Sequence, residues 1–193
     1  MLTVTHFIGK VHIMSTIFSL DGNLLLWIQD YLRADFMNGF WIFITSLGNG
    51  GLFWIVLGIL LLLFPKTRKL GLLTLVSMLI GFLITNVCLK DLVARPRPYT
   101  QIPDLTILVK EPHDWSFPSG HTTASFAFAF AFYFGLSRKK YSIPVFVLAA
   151  LIAFSRLYVG VHYPTDVLGG LLIGTLSAVL VWNIYNRREK KRK

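Results

Sequence analysis

Three short stretches hold polar and charged side chains that an apolar chain does not usually carry. They read KDLVARPRP at 90–98, PSGH at 118–121 and SRLYVGVHYPTD at 155–166. Each stretch adjoins a long apolar run, and an ionisable residue beside a membrane segment is a candidate for function. These stretches are therefore the first place to look for a reactive site.

Residue types that bind phosphate occur in all three stretches. Lys90, Arg97 and Arg156 supply three positive charges; guanidinium binds phosphate through paired hydrogen bonds, and ammonium acts as a point charge. Ser119 and Gly120 place a hydroxyl and an unobstructed N–H at the start of a predicted helix, where free N–H groups and the helix dipole favour an anion. We expect these five residues to bind a phosphate or pyrophosphate group.

A nucleophile and a proton donor complete the set. His162 and Asp166 are four positions apart with Pro164 between them, and proline favours the first turn of a helix. We expect the last helix to begin near Pro164, with Asp166 in reach of the imidazole. A carboxylate on Nδ1 leaves Nε2 as a nucleophile. His121, at the start of its own helix, is the expected general acid.

Other sites are disfavoured by the same residues. A serine-hydrolase elbow needs G-x-S-x-G, but Phe117 and His121 flank Ser119 at those positions. The signatures of a phosphate-binding loop and of a zinc protease helix are absent from the sequence. A metal held by His121, His162 and Asp166 would be opposed by three nearby cations. We therefore predict no metal and no cofactor.

Each residue also has a purely structural interpretation. Ser119 is a typical helix cap, and Lys90 and Arg97 are able to extend toward the membrane interface. Arg95 is a further candidate phosphate ligand. His113 and Asp114 lie in the outer loop, and two interpretations are open for them: solvation of the loop, which is favoured, and a role in shaping substrate entry. The site hypothesis is favoured because all three polar stretches fall on one side of the predicted topology.

That topology follows from composition and charge. The 193 residues are 54% hydrophobic and 15% charged, with a mean hydropathy of +0.62, which is typical of an integral membrane protein. Four segments are long and apolar enough to cross a bilayer: 69–90, 119–136, 141–159 and 165–186. A fifth is predicted over 36–64 with a break in the glycine-rich stretch 48–51, and 22–33 is an amphipathic, interfacial candidate.

The net charge of +10 is concentrated beside these segments. Twelve of the 19 lysines and arginines lie in clusters of three, three and six at 66–69, 138–140 and 187–193. Basic clusters flank membrane segments on the cytoplasmic side. This arrangement disfavours nucleic-acid binding, predicts a cytoplasmic C-terminus, and places 91–118 and 157–165 outside the membrane with the three polar stretches.

The three stretches resemble the signature of the type 2 phosphatidic acid phosphatase superfamily, which includes the vanadium haloperoxidases. Its K-x6-R-P, P-S-G-H and S-R-x5-H-x3-D motifs are filled at Lys90 to Pro98, 118–121 and Ser155 to Asp166, over about 77 residues. The resemblance implies an all-α, polytopic membrane helix bundle with about five to six transmembrane helices and a haloperoxidase-like core. We expect peripheral helices over 1–50 and the phosphatase core over 51–193.

The resemblance also implies roles for the site residues. His162 would carry a phosphohistidine, supported by Asp166, and His121 would protonate the leaving group. The phosphate would be bound by the remaining set: Lys90, Arg97, Ser119, Gly120 and Arg156.

The function implied is that of a metal-independent lipid phosphatase in a bacterial plasma membrane, with its site on the extracytoplasmic face. Undecaprenyl pyrophosphate is the favoured substrate, and phosphatidylglycerophosphate or phosphatidic acid is the alternative. A non-hydrolytic lipid or phosphate transporter and a phosphotransferase remain open, as does the oligomeric state. Only 20 residues precede Asp21, so the presence of a first transmembrane helix before it is also open.

Overall fold

The computed structural model describes residues 18–191, which form nine α-helices and no β-strand. Helix α1 covers 18–27 and continues as a π-helix over Ile28–Leu32. The other helices are α2 Asp35–Leu47, α3 Leu52–Leu63, α4 Arg68–Phe82, α5 Lys90–Val93, α6 Pro98–Gln101, α7 Gly120–Gly135, α8 Ile143–Tyr158 and α9 Pro164–Lys191. A π-helix, Leu83–Leu89, joins α4 to α5. The predicted start of the last helix at Pro164 is confirmed.

Helix α7 lies at the centre, in contact with α4, α8 and α9. Its phenylalanines and alanines form much of the core, and Phe128, Ala127 and Ala129 are fully buried. Trp54 packs on Phe128 and donates its indole N–H to Ser125 Oγ at 2.9 Å. A buried indole therefore has both an apolar and a polar partner, as such side chains require.

Helices α7 and α9 cross at very short range. A Cβ added at Gly170 would lie 2.6 Å from the Ser119 carbonyl oxygen, and one at Gly174 would lie 2.5 Å from the Thr123 carbonyl oxygen. Small residues permit such a close approach of helix backbones. The crossing brings the first turns of the two helices together, and Ser119 N donates to the Asp166 carbonyl oxygen at 3.0 Å.

The predicted break at 48–51 is confirmed. Gly50 and Gly51 have φ values of +59° and +68°, a region that glycine enters without steric cost. The chain bends by 46° between α2 and the segment Asn49–Leu63. The bend turns the end of α2 and the following loop toward the start of α7.

Among residues 18–191, three helical segments are long and apolar enough to cross a membrane: Arg68–Gln101, Lys139–Tyr158 and Pro164–Lys191. The bent α2–α3 pair raises this number to four when it is counted as one span. Helix α7 has only 16 residues. The total of five to six spans, the interfacial position of 22–33 and the division at residue 50 stay predictions, and most of the segment before Asp21 lies outside the described residues.

The helix ends that carry basic clusters meet at one end of the bundle. Lys69 Nζ lies 4.1 Å from the ring centroid of Tyr185, which joins the start of α4 to the end of α9. A Cβ at Gly135 would lie 2.5 Å from Leu70 Cδ1, so the end of α7 adjoins the same region. The first turn of α7, with the PSGH stretch, is at the other end of that helix.

The close α7–α9 crossing makes Gly174 intolerant of any side chain. We expect Gly174→Ala to lower the free energy of unfolding by about 1–3 kcal/mol, because the added methyl group meets backbone that cannot move aside. Thermal unfolding in detergent micelles measures the change. The matched control is Gly39→Ala in α2, where nothing lies within 4 Å of the new Cβ. Equal stability of the two variants would contradict the packing argument.

Candidate active site

Six of the eight predicted site residues line one cavity of about 900 Å³, namely Lys90, Arg97, Gly120, His121, Arg156 and His162. The other two, Ser119 and Asp166, are fully buried behind it. The folded chain therefore brings together the residues that the three sequence stretches indicated.

The three predicted cations come from separate elements and are nearly buried. Lys90 begins α5, Arg97 precedes α6, and Arg156 lies in the last turn of α8. Arg97 Nη1 donates to the Val161 carbonyl oxygen at 2.7 Å, and Arg156 Nη1 donates to Thr45 Oγ1 at 2.5 Å. Charges removed from water in this way require a counter-charge, so the cavity favours an anionic ligand.

Asp114 is the carboxylate that contacts two of these cations. Its carboxylate oxygens accept from Lys90 Nζ and, at 2.6 Å, from Arg97 Nη2. Burial raises the pKa of Asp114, but the hydrogen bonds and charges of Lys90 and Arg97 outweigh it and lower the pKa to about 2. The favoured interpretation of Asp114 as a solvated residue is therefore incomplete: its side chain is 51% exposed, but it also pairs with two cations of the cavity. Its role in shaping substrate entry stays a prediction.

His162 lies in the loop between α8 and α9 with 2% of its surface exposed. Its Nε2 is 3.5 Å from Arg97 Nη1, and its Nδ1 is 3.5 Å from Asp166 Oδ2. Burial and the charges of Arg97 and Arg156 outweigh the opposing effect of Asp166 and lower the pKa of His162 to about 4. The ring is therefore neutral at pH 7, and one nitrogen keeps a lone pair.

Asp166 is held by several donors. Arg95 Nη1 donates to Oδ1 at 2.6 Å, while Ser116 Oγ and the backbone N–H of Tyr163 donate to Oδ2 at 2.5 and 2.8 Å. Arg95 also pairs with Asp21 Oδ2 at 2.6 Å. Its guanidinium is thus engaged by two carboxylates and does not line the cavity, so the interpretation of Arg95 as a phosphate ligand is not supported.

The first turn of α7 presents the second histidine. Ser119 Oγ accepts from the Thr122 N–H at 3.5 Å and from Thr122 Oγ1 at 3.0 Å, which confirms the serine as the helix cap. Its part in phosphate binding stays a prediction. His121 Nε2 lies 3.0 Å from Asn49 Oδ1, so the loop at the α2–α3 break reaches the proton-donor candidate.

Four polar contacts at the site have no counterpart in the sequence prediction. They are made by Asp21, Thr45, Asn49 and Ser116. Each is a single polar residue in an apolar helix or a short loop. The contact of such a residue cannot be predicted from a local sequence pattern, because its partner is remote in the chain.

Comparison with known proteins identifies the family. The model of the PAP2 superfamily matches residues 70–190. The chain belongs to the PAP2 superfamily. It is 34% identical over 151 residues to the undecaprenyl-diphosphatase of Sulfolobus acidocaldarius, a match that covers 78% of this chain and 72% of that protein.

Solved structures agree with this membership. The crystal structure of Aquifex aeolicus LpxE superposes with a TM-score of 0.75 at 28% identity, over 85% of this chain and 95% of that one. A transmembrane PAP2-type phosphatidylglycerolphosphate phosphatase from Bacillus subtilis gives a TM-score of 0.74 at 30% identity, over 95% and 96%. The chain is therefore a multi-pass membrane lipid phosphatase with the all-α fold of the PAP2 superfamily.

Asp114 competes with an anion for Lys90 and Arg97. We expect Asp114→Asn to tighten binding of inorganic phosphate by about two- to fivefold, since half-exposed ion pairs contribute about 0.5–1 kcal/mol. Phosphate inhibition of turnover measures the change. Glu111→Gln is the control, because Glu111 lines the same cavity and loses the same charge. Tighter binding in both variants would mean that only overall charge matters.

Proposed function

We propose that the chain hydrolyses a lipid pyrophosphate or phosphomonoester through a phosphohistidine at His162. The observation that carries the proposal is the buried His162, whose Nε2 lies 3.5 Å from Arg97 Nη1 in a cavity that Lys90 and Arg156 also line. A neutral imidazole with a lone pair beside a phosphate-binding guanidinium has the requirements of a nucleophile for phosphoryl transfer.

In the first step, His162 Nε2 attacks phosphorus while the bond between phosphorus and the leaving oxygen breaks. The positive charge that develops on the ring is stabilised by Asp166, 3.5 Å from Nδ1. His121 gives its proton to the leaving oxygen, and the lipid alcohol or lipid monophosphate departs. The products of this step are a phosphorylated His162, neutral His121 and the released lipid.

In the second step, water attacks the phosphorus of the phosphohistidine. His121 takes one proton from that water, and the bond between phosphorus and Nε2 breaks. Inorganic phosphate leaves, and His162 returns to its neutral form with His121 protonated for the next turnover. No oxidant, reductant or further group enters this cycle, and we propose that it needs no metal.

The transferring phosphoryl group would lie among the buried cations. The negative charge on its equatorial oxygens would be stabilised by Lys90, Arg97 and Arg156. The first turn of α7 would add the Ser119 hydroxyl and the Gly120 N–H. Fixed charges in a site shielded from water stabilise a transition state without reorganising, which is usually the largest catalytic contribution.

The membrane orientation is part of the proposal. We infer that the basic end of the bundle and the C-terminus face the cytoplasm and that the site opens to the extracytoplasmic side of a bacterial plasma membrane. The contact of Lys69 with Tyr185 supports the inference that the basic clusters at 66–69 and 187–193 lie at the same end of the bundle. Such clusters remain on the cytoplasmic side of a membrane.

Undecaprenyl pyrophosphate is the favoured substrate. The similar Sulfolobus acidocaldarius protein bears the name undecaprenyl-diphosphatase, and a pyrophosphate brings several negative charges to three cations. The cavity also has an apolar side that suits a lipid chain, formed by Ile42, Ile55, Leu75, Leu79 and Phe82. Phosphatidylglycerophosphate is the second candidate, because the Bacillus subtilis neighbour is a phosphatase of that lipid.

Replacement of the nucleophile tests the reaction. We expect His162→Asn to abolish phosphate release from the lipid while binding of inorganic phosphate is retained, because the cations stay in place. His113→Asn is the matched control, since His113 lines the same cavity outside the three motifs.

Quenched wild-type enzyme should contain one phosphoryl group on His162. Wild type that binds the lipid but releases no phosphate would favour a transporter, and loss of activity with chelator would contradict the metal-free cycle.

Relative rates identify the substrate. We expect kcat/KM for undecaprenyl pyrophosphate to exceed that for phosphatidylglycerophosphate and phosphatidic acid by at least about tenfold, the effect of roughly 1.4 kcal/mol of selective transition-state binding. Phosphate release from each lipid in mixed micelles of one composition measures this ratio. A reversed order would still support phosphatase activity but would contradict undecaprenyl pyrophosphate as the favoured substrate. Transfer of phosphate to an added lipid alcohol would indicate a phosphotransferase.

A further inference from the structure

We propose that Asn49 is a positioning residue for the proton donor: its side chain holds Nε2 of His121 and leaves Nδ1 to give up the proton. This inference rests on the proposed function and adds a residue that precedes the matched family range, 70–190. It also gives the glycine-rich break at 48–51 a role in the reaction, because the break contains Asn49.

The contact is direct. Asn49 Oδ1 lies 3.0 Å from His121 Nε2, a normal length for a hydrogen bond between an amide oxygen and an imidazole N–H. An amide oxygen accepts a hydrogen bond but does not take up the proton at neutral pH. Nε2 therefore keeps its hydrogen, and Nδ1 has no hydrogen-bond partner among residues 18–191.

The neighbouring glycine fixes which edge of the ring meets the loop. A Cβ at Gly48 would lie 2.4 Å from His121 Cδ2 and 2.9 Å from Ile152 Cγ2. Only a glycine at this position lets the loop lie flat against the Cδ2–Nε2 edge. The opposite edge, which carries Nδ1, is consequently directed away from the break.

The same segment supports a second site residue. Thr45, in the last turn of α2, accepts from Arg156 Nη1 at 2.5 Å. The break thus carries one contact to a phosphate-binding candidate and one to the proton donor within five positions of the chain.

The chemical consequence concerns the leaving group. When His121 is an imidazolium, the Nδ1 proton passes to the leaving oxygen, and the Nε2–H bond to Asn49 persists through the transfer. A ring without Asn49 is free to rotate, so the fraction correctly placed for proton delivery falls. The need for this proton rises with the basicity of the leaving oxygen, so an ester of an alcohol should depend on Asn49 far more than an ester of p-nitrophenol, whose anion is stable without a proton.

The experiment compares two phosphomonoesters in the purified full-length protein: a short-chain phosphatidic acid, with an alcohol leaving group, and p-nitrophenyl phosphate. The variants are Asn49→Leu, which removes the acceptor at similar size, and Asn49→Asp, which keeps an oxygen in place. Ser46→Ala is the control, because Ser46 lines the cavity and its hydroxyl donates to the Phe43 carbonyl oxygen of its own helix. The measured quantity is kcat/KM, which ends at leaving-group departure, so the shared second step does not contribute.

For Asn49→Leu we expect kcat/KM on phosphatidic acid to fall at least about tenfold, within the range of general acid catalysis, and that on p-nitrophenyl phosphate to change less than about twofold. Asn49→Asp and Ser46→Ala should retain both activities, and inorganic phosphate should bind Asn49→Leu and Ser46→Ala as tightly as it binds wild type. An equal fall on both substrates, or no fall on either, would overturn the positioning role. Wild type that releases no phosphate from either ester or from undecaprenyl pyrophosphate would instead overturn the proposed function.

Discussion

The buried carboxylate of Asp166 is the interaction on which the site depends. Its side chain accepts from Arg95, Ser116 and the backbone of Tyr163, and its own carbonyl oxygen accepts from Ser119 N. A carboxylate removed from water is stable only when its oxygens are satisfied. The same bonds tie the loop before α7 and the start of α9 together, so satisfying this charge also assembles the site.

A second constraint is the excess of positive charge. Three cations lie nearly buried around the cavity, and among the described residues Asp114 is the carboxylate paired with any of them. This imbalance favours a multiply charged anion over a neutral ligand. Burial, together with this positive charge, lowers the pKa of His162 to about 4, which keeps the proposed nucleophile neutral.

The N-terminal helices contribute more than a membrane anchor. Asp21 in α1 pairs with Arg95, Thr45 in α2 accepts from Arg156, and Asn49 meets His121. All three precede the matched family range, residues 70–190. Residues that contact the groups expected to touch substrate orient those groups, so the N-terminal helices help to position the site.

Local signals in the sequence were sufficient for much of this protein. Five features depend on residues within a few positions of one another: apolar length, the basic clusters, the cap at Ser119, the break at 48–51 and the start of α9 at Pro164. The motif spacing selected eight residues, six of which the fold brings to one cavity. Tertiary structure alone decided the partners: Asp21 meets Thr165 across 144 positions, Arg156 meets Thr45 across 111 and His121 meets Asn49 across 72. It also decided that Arg95 serves two carboxylates and not the substrate. A single polar residue on an apolar helix has no periodicity, and which group it meets depends on helix crossings and bends that no local pattern contains.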